Sequence, residues 1–139
     1  MTDEMTSAEF RALRFDIDTP KRRNKFNARV VDYDGYHFAS QAERDYYIIL
    51  KAREDEGAIS HLRVHTVWEI VPAFDYLGKH YKPLHYVSDF DYTDLESEGM
   101  QTIIDVKGGK ATQTPLFRLK WRLMQARYSS WFLSIVEVT

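Results

Sequence analysis

Gln101-Thr102-Ile103-Ile104-Asp105-Val106-Lys107-Gly108-Gly109 decides how this chain reads. The run is rich in β-branched residues and is stopped by two glycines, so it predicts a strand over 101–107. Side chains alternate across a strand, which places Asp105 and Lys107 on one face at its end. An acid and a lysine so placed suit a divalent cation beside a phosphate. Alone, the pair also fits a surface ion pair worth at most about 1 kcal/mol.

On the C-terminal side, Thr114-Pro115 pairs an N-cap residue with proline at the first helical position. The helix this predicts runs to about Tyr128, and 131–138 forms a last strand. Because that strand follows a crossover helix, it should lie parallel to a neighbour. The helix is apolar on two sides: Leu116, Leu119, Leu123 and Ala126 form one stripe, and Phe117, Trp121, Met124 and Tyr128 the other. Two stripes imply two partners. One is the sheet; the other is the N-terminal segment or a second subunit, and we favour a homodimer.

On the N-terminal side, 84–92 reads as a strand carrying Asp89 and Asp91 on one face, either of which could serve as a ligand. Residues 64–71 read as another strand, with Pro72 ending it or placing it at an edge. Leu77-Gly78-Lys79 reads as a turn. Ser40 and Glu43 form a capping-box pattern for a helix that stops at Gly57, with Ala42, Tyr46, Ile49, Leu50 and Arg53 on one face. Glu43 therefore has a plain structural role, yet it also flanks the buried side of the helix. In front, Arg29–Tyr33 and Tyr36–Ala39 flank Asp34-Gly35, a hairpin turn. Residues 1–24 read as a polar tail and 25–139 as one domain. The order is helix, three strands, helix, strand: an α/β fold whose central mixed sheet is flanked by helices.

Composition narrows the chemistry. The chain has no cysteine, which excludes disulfides, thiolate catalysis and Cys-ligated zinc and fits a reducing cytoplasm. No apolar run approaches the roughly 20 residues of a membrane helix, and the polar, acidic first residues do not resemble a secretory signal. The net charge is −2, low for a DNA-binding domain, but the charge is segregated. Lys21, Arg22, Arg23, Lys25 and Arg29 cluster, and from Lys107 to Arg127 every charged residue is basic. His61 and His65 have a spacing found in metal-binding helices, but they fall in a stretch that reads as strand, with no third ligand evident.

Ser-Gln-Ala-Glu43 on a helix, Ser88-Asp89-Phe90 on a strand and Asp105-Val106-Lys107-Gly108 on the next resemble the core of the PD-(D/E)xK nucleases. More closely, residues 24–138 are similar to a phage- and prophage-associated family of small uncharacterised nucleases. The likeness includes Asn24-Lys25, Tyr33-Asp34-Gly35-Tyr36-His37-Phe38 and the Tyr81–Tyr92 region. The resemblance implies a restriction-endonuclease-like core and Mg²⁺- or Mn²⁺-dependent hydrolysis of DNA phosphodiesters, leaving a 5′-phosphate. Asp89, Asp105 and the Val106 carbonyl would hold the metal, with Glu43 completing the site directly or through water. Lys107 would act on the attacking water and the phosphate. Lys25, Lys110, Arg118 and Lys120 are candidate DNA contacts. The implied setting is the cytoplasm of a bacterial host, with branched DNA such as a Holliday junction among the substrates. The alternative is a non-catalytic nucleic-acid-binding or interaction protein that keeps the fold.

Overall fold

The computed structural model describes residues 30–109 and 112–138. The expected tail at 1–24, Lys25 and Lys110 lie outside the described residues. The Asp34-Gly35 dipeptide does turn a hairpin, β1 (Val31–Tyr33) to β2 (Tyr36–Phe38), with φ of 52° and 80°. Both values are in the left-handed region that Asp and Gly tolerate best. Ser40 then caps α1 (Gln41–Asp55), its Oγ accepting from the Glu43 amide at 3.1 Å.

The chain continues through β3 (Ile59–Val64), β4 (Val67–Val71), β5 (Phe74–Tyr76), β6 (Lys79–Tyr81), β7 (Leu84–Val87), β8 (Phe90–Asp94), β9 (Met100–Lys107), α2 (Pro115–Arg127) and β10 (Phe132–Glu137). A four-stranded sheet runs in the order β10-β9-β8-β3. β3, β8 and β9 pair antiparallel, and β10 is parallel to β9, as the crossover helix requires. The fold is therefore α/β, with a mixed central sheet and two helices.

Two expected strands need correction. The segment 84–92 is not one strand but β7 and β8, which break at Ser88-Asp89 and join different sheets. The segment expected at 64–71 is β4, and the unforeseen β3 precedes it. Where β3 passes to β4, His65 has φ 56°. The two breaks lie side by side: His65 N donates to Asp89 O at 3.1 Å and Ser88 N to Thr66 O at 3.0 Å. The long β3–β4 and β7–β8 pair therefore bends as a unit, and its outer half folds over one face of the sheet.

The bend divides the core. On one face, Tyr47 and Leu50 of α1 meet Phe38, Ile59, Phe90, Tyr92 and Ile104. On the other, Phe117, Trp121 and Met124 of α2 meet Ile103, with Trp68, Ile70 and Tyr86 arriving from the folded-over β4–β7 pair. Each such side chain contributes about 1.5–3 kcal/mol when fully buried. The buried face of α1 is centred on Glu43, Tyr47 and Leu50, whereas Ile49, expected on it, is 54% exposed. On α2 the aromatic stripe is the packed one, Leu123 packs beside it, and Ala126 is exposed. Among the described residues no helix is long and apolar enough to cross a membrane.

Candidate metal centre

Asp105 sits on β9, on the α2 side of the sheet with Ile103. Lys107 is on the same face, as alternation requires, with Nζ 3.0 Å from Asp105 Oδ1. The ammonium also lies 3.9 Å from the centre of the Phe117 ring of α2. A cation over an aromatic face is attracted by the ring quadrupole, so α2 fixes where this lysine stands. Asp105 is buried. Its Oδ2 accepts from the Tyr86 hydroxyl, which β7 brings across from the second sheet. Its Oδ1 is buried and accepts no hydrogen bond among the described residues. The contact with Lys107 is close in distance but not aligned as a hydrogen bond. A buried carboxylate oxygen left in this state is a good acceptor for a cation.

Asp89 enters from the break between β7 and β8. The antiparallel pairing of Phe90 with Ile104 sets Asp89 beside Asp105, and its Oδ2 accepts from the Val106 amide at 2.7 Å. Burial, followed by the neighbouring Asp105 and Glu43 carboxylates, pushes the Asp89 carboxyl well above the usual carboxylate range; the Val106 amide and Lys107 offset part of this. The Tyr86 hydroxyl is also pushed up, by burial and by Asp105, so it stays protonated and donating.

Glu43 comes from the first turn of α1 and serves both roles. Oε2 accepts from the Ala39 amide at 3.2 Å, the reciprocal half of a cap, shifted one residue from the expected Ser40. Oε1 lies 2.6 Å from His65 Nε2. Glu43, His65 and Asp89 each offer one ligand atom within 4.8 Å of the others, so this trio could hold a metal ion. His65 was missed by the sequence reading because the bend that aims it cannot be read from a strand pattern. The available signal was its i+4 relation to His61, which pointed to the wrong geometry.

Asp91, two residues on from Asp89, pairs with Ile103 in the β8–β9 register and has its own partners. Asp91 is buried, and its Oδ2 accepts from Arg63 Nε at 2.8 Å and lies 2.6 Å from Nη2, while the Thr66 hydroxyl donates to Oδ1. It is a satisfied structural acid. Of the expected DNA contacts that are described, Arg118 is exposed and Lys120 half-buried on α2. The four expected site residues come from three separate segments: Lys107 stands on Asp105, Asp105 and Glu43 both act on Asp89, and the three-residue ligand group contains Glu43 and Asp89 with His65 but not Asp105.

No curated protein and no solved structure matches this chain. A family model does, over residues 23–138, and its description is "Protein of unknown function (DUF1064)". That span covers most of the chain and every residue of the site, and so the chain belongs to the DUF1064 family.

Proposed function

We propose that this chain is a metal-dependent endonuclease that hydrolyses DNA phosphodiester bonds. The observation that carries the reading is the open, buried Oδ1 of Asp105, with Asp89 beside it and Lys107 Nζ 3.0 Å away. The order of helix, three central strands, crossover helix and parallel strand supports a PD-(D/E)xK-type core. Asp89, Asp105, the Val106 carbonyl and Glu43 would hold Mg²⁺ or Mn²⁺, hard cations that favour clustered oxygens. When bound, such an ion supplies an activated water and neutralises charge at phosphorus.

The chain's own groups do the rest. Lys107, pinned over Phe117, presents its ammonium to the phosphate and to the attacking water. Tyr86 holds Asp105 Oδ2 so that Oδ1 faces the site. His65 orients Glu43. Arg118 and Lys120, with Lys25 and Lys110, would contact the phosphate backbone and fix the register of the DNA. Leu116 and Leu119, half-buried on α2, are the surface on which we place a homodimer contact; light scattering that reports a monomer would remove it.

The test is incubation with Mg²⁺ or Mn²⁺ and four substrates: supercoiled plasmid, linear duplex, single strand and four-way junction. Asp105→Ala and Lys107→Ala run alongside. Cutting that both variants lose is the expected result. Cutting that survives both places the chemistry elsewhere, and no cutting of any substrate favours a binding protein that keeps the fold.

A further inference from the structure

The β5–β6 hairpin interrupts the β4–β7 pair at the end opposite Asp89. Every residue from Pro72 to Lys82 is exposed, so the hairpin projects from the body. It nevertheless carries large apolar side chains: Phe74 is 45% exposed, Tyr76 62%, Leu77 88% and Tyr81 37%. Phe74 and Tyr81 are cross-strand partners whose rings stack at 4.9 Å and 8°, which makes a rigid aromatic platform.

The tip residue Leu77 has φ 49°. A leucine in the left-handed region is disfavoured by roughly 1–2 kcal/mol, and turns of this shape ordinarily take Asn, Asp or Gly. Exposed as it is, Leu77 returns little packing energy. Folding alone therefore does not account for an apolar side chain at this point.

The charges around the platform are cationic. Lys79 Nζ lies 5.0 Å from the centre of the Tyr81 ring, and Lys82 follows. Neither lysine has an ion-pair partner among the described residues, and Asp75 is taken up by His80 at 2.8 Å. Aromatic faces flanked by unpaired cations match a nucleobase and its phosphate. A second copy of the hairpin would instead set these lysines against one another.

We propose that the β5–β6 hairpin is a wedge that stacks on unpaired bases of a DNA substrate; it rests on the nuclease reading above. In intact duplex the base faces are already stacked. At a gap, flap or branch they are available. Leu84 lies about 17 Å along the strand from Asp89 at roughly 3.3 Å per residue. The hairpin beyond it would therefore engage DNA about five or more base-pair steps from the scissile phosphate. The site would then cut beside an irregularity that the hairpin has found.

The experiment measures binding by the full-length protein in EDTA, where no cutting occurs. The probes are fluorescein-labelled four-way junction, gapped duplex and intact duplex of equal length. The variant is Tyr76→Ser with Leu77→Ser, two exposed positions whose change leaves the core untouched. The wild type is expected to prefer gapped and branched probes, and the variant to lose about tenfold in affinity for them with intact duplex unchanged. Equal binding by variant and wild type overturns the proposal, as does an equal loss on all three probes. So does a dimer that becomes a monomer in the variant, which would make the hairpin a subunit interface. Cutting assays with Mg²⁺ or Mn²⁺ on the same preparations separate the two readings. Hairpin-dependent binding by a wild type that never cuts overturns the nuclease alone. Cutting by a variant that keeps the wild-type preference for gapped DNA overturns the wedge alone.

Discussion

The hydroxyl of Tyr86 donates to Asp105 Oδ2 across the gap between the two sheets. It fixes one oxygen of the carboxylate and leaves the other without a hydrogen bond, beside the Lys107 ammonium. Tyr86→Phe removes a buried charge-assisted hydrogen bond and leaves a second oxygen unsatisfied. We expect a stability loss of about 1–3 kcal/mol in urea denaturation, together with Mn²⁺ affinity and cutting reduced at least tenfold. A variant that keeps wild-type Mn²⁺ affinity would show that Tyr86 only packs.

Asp105→Asn and Lys107→Met separate holding a cation from using it. Without metal, Asp105→Asn removes one of the carboxylates crowded around Asp89. Its metal-free stability should match or exceed that of the wild type, while Mn²⁺ binding and cutting are lost. Lys107→Met keeps the oxygens, so calorimetry should still detect Mn²⁺ while cutting falls by at least about 100-fold. If Lys107→Met abolishes Mn²⁺ binding instead, the lysine has a different role from the one assigned.

The crowding also sets a pH dependence. The Asp89 carboxyl is raised in the folded chain by burial and by its acidic neighbours. Between the ordinary carboxylate value and the raised one, the folded chain holds a proton that the unfolded chain has lost. Stability is then fully present below about pH 4 and falls as pH rises through that interval. Urea midpoints measured in EDTA should therefore decline with pH, and Asp89→Asn should flatten the decline. An Asp89→Asn slope equal to the wild-type slope would assign the effect to another group.

His65 combines a backbone demand with a chemical one. Its φ of 56° favours glycine, and its imidazole lies 2.6 Å from Glu43. His65→Gly should be more stable than His65→Ala by about 1 kcal/mol, since only alanine carries a Cβ into the left-handed region. Both should weaken Mn²⁺ affinity by roughly tenfold, because Glu43 loses the imidazole that orients it. Equal stability of the two variants would mean that the backbone relaxes at this bend.

These residues also mark what the sequence could and could not convey. Asp105 and Lys107 were legible because alternation along one unbroken strand fixes their shared face. Both helices were legible from caps that the chain realises, Ser40 and Thr114. The bend was not. It depends on two distant dipeptides, His65-Thr66 and Ser88-Asp89, pairing with each other, and no local pattern announces such an event. The place of His65 follows from that one missing fact, because its left-handed backbone at the bend turns the imidazole toward Glu43; what separates Asp91 from Asp89 is its own partners, Arg63 and Thr66.

Asp91 gives the sharpest contrast with Asp89, two residues away. It is buried and held by Arg63 and Thr66, so its removal costs structure and not chemistry. Asp91→Ala strands the half-buried Thr66 hydroxyl and frees Arg63, whose side chain is 54% exposed and can turn to water. The expected loss is about 2 kcal/mol, the scale of a hydrogen bond to a charged group. Mn²⁺ affinity should stay within about twofold of wild type at temperatures where the variant is folded. Asp89→Ala should do the reverse, abolishing Mn²⁺ binding while leaving metal-free stability at neutral pH unchanged or raised, since a crowded carboxylate is removed. If Asp91→Ala also abolished Mn²⁺ binding, Arg63 and Thr66 would not hold Asp91 apart from the site, and the assignment of Asp89 as the ligand would fail with it.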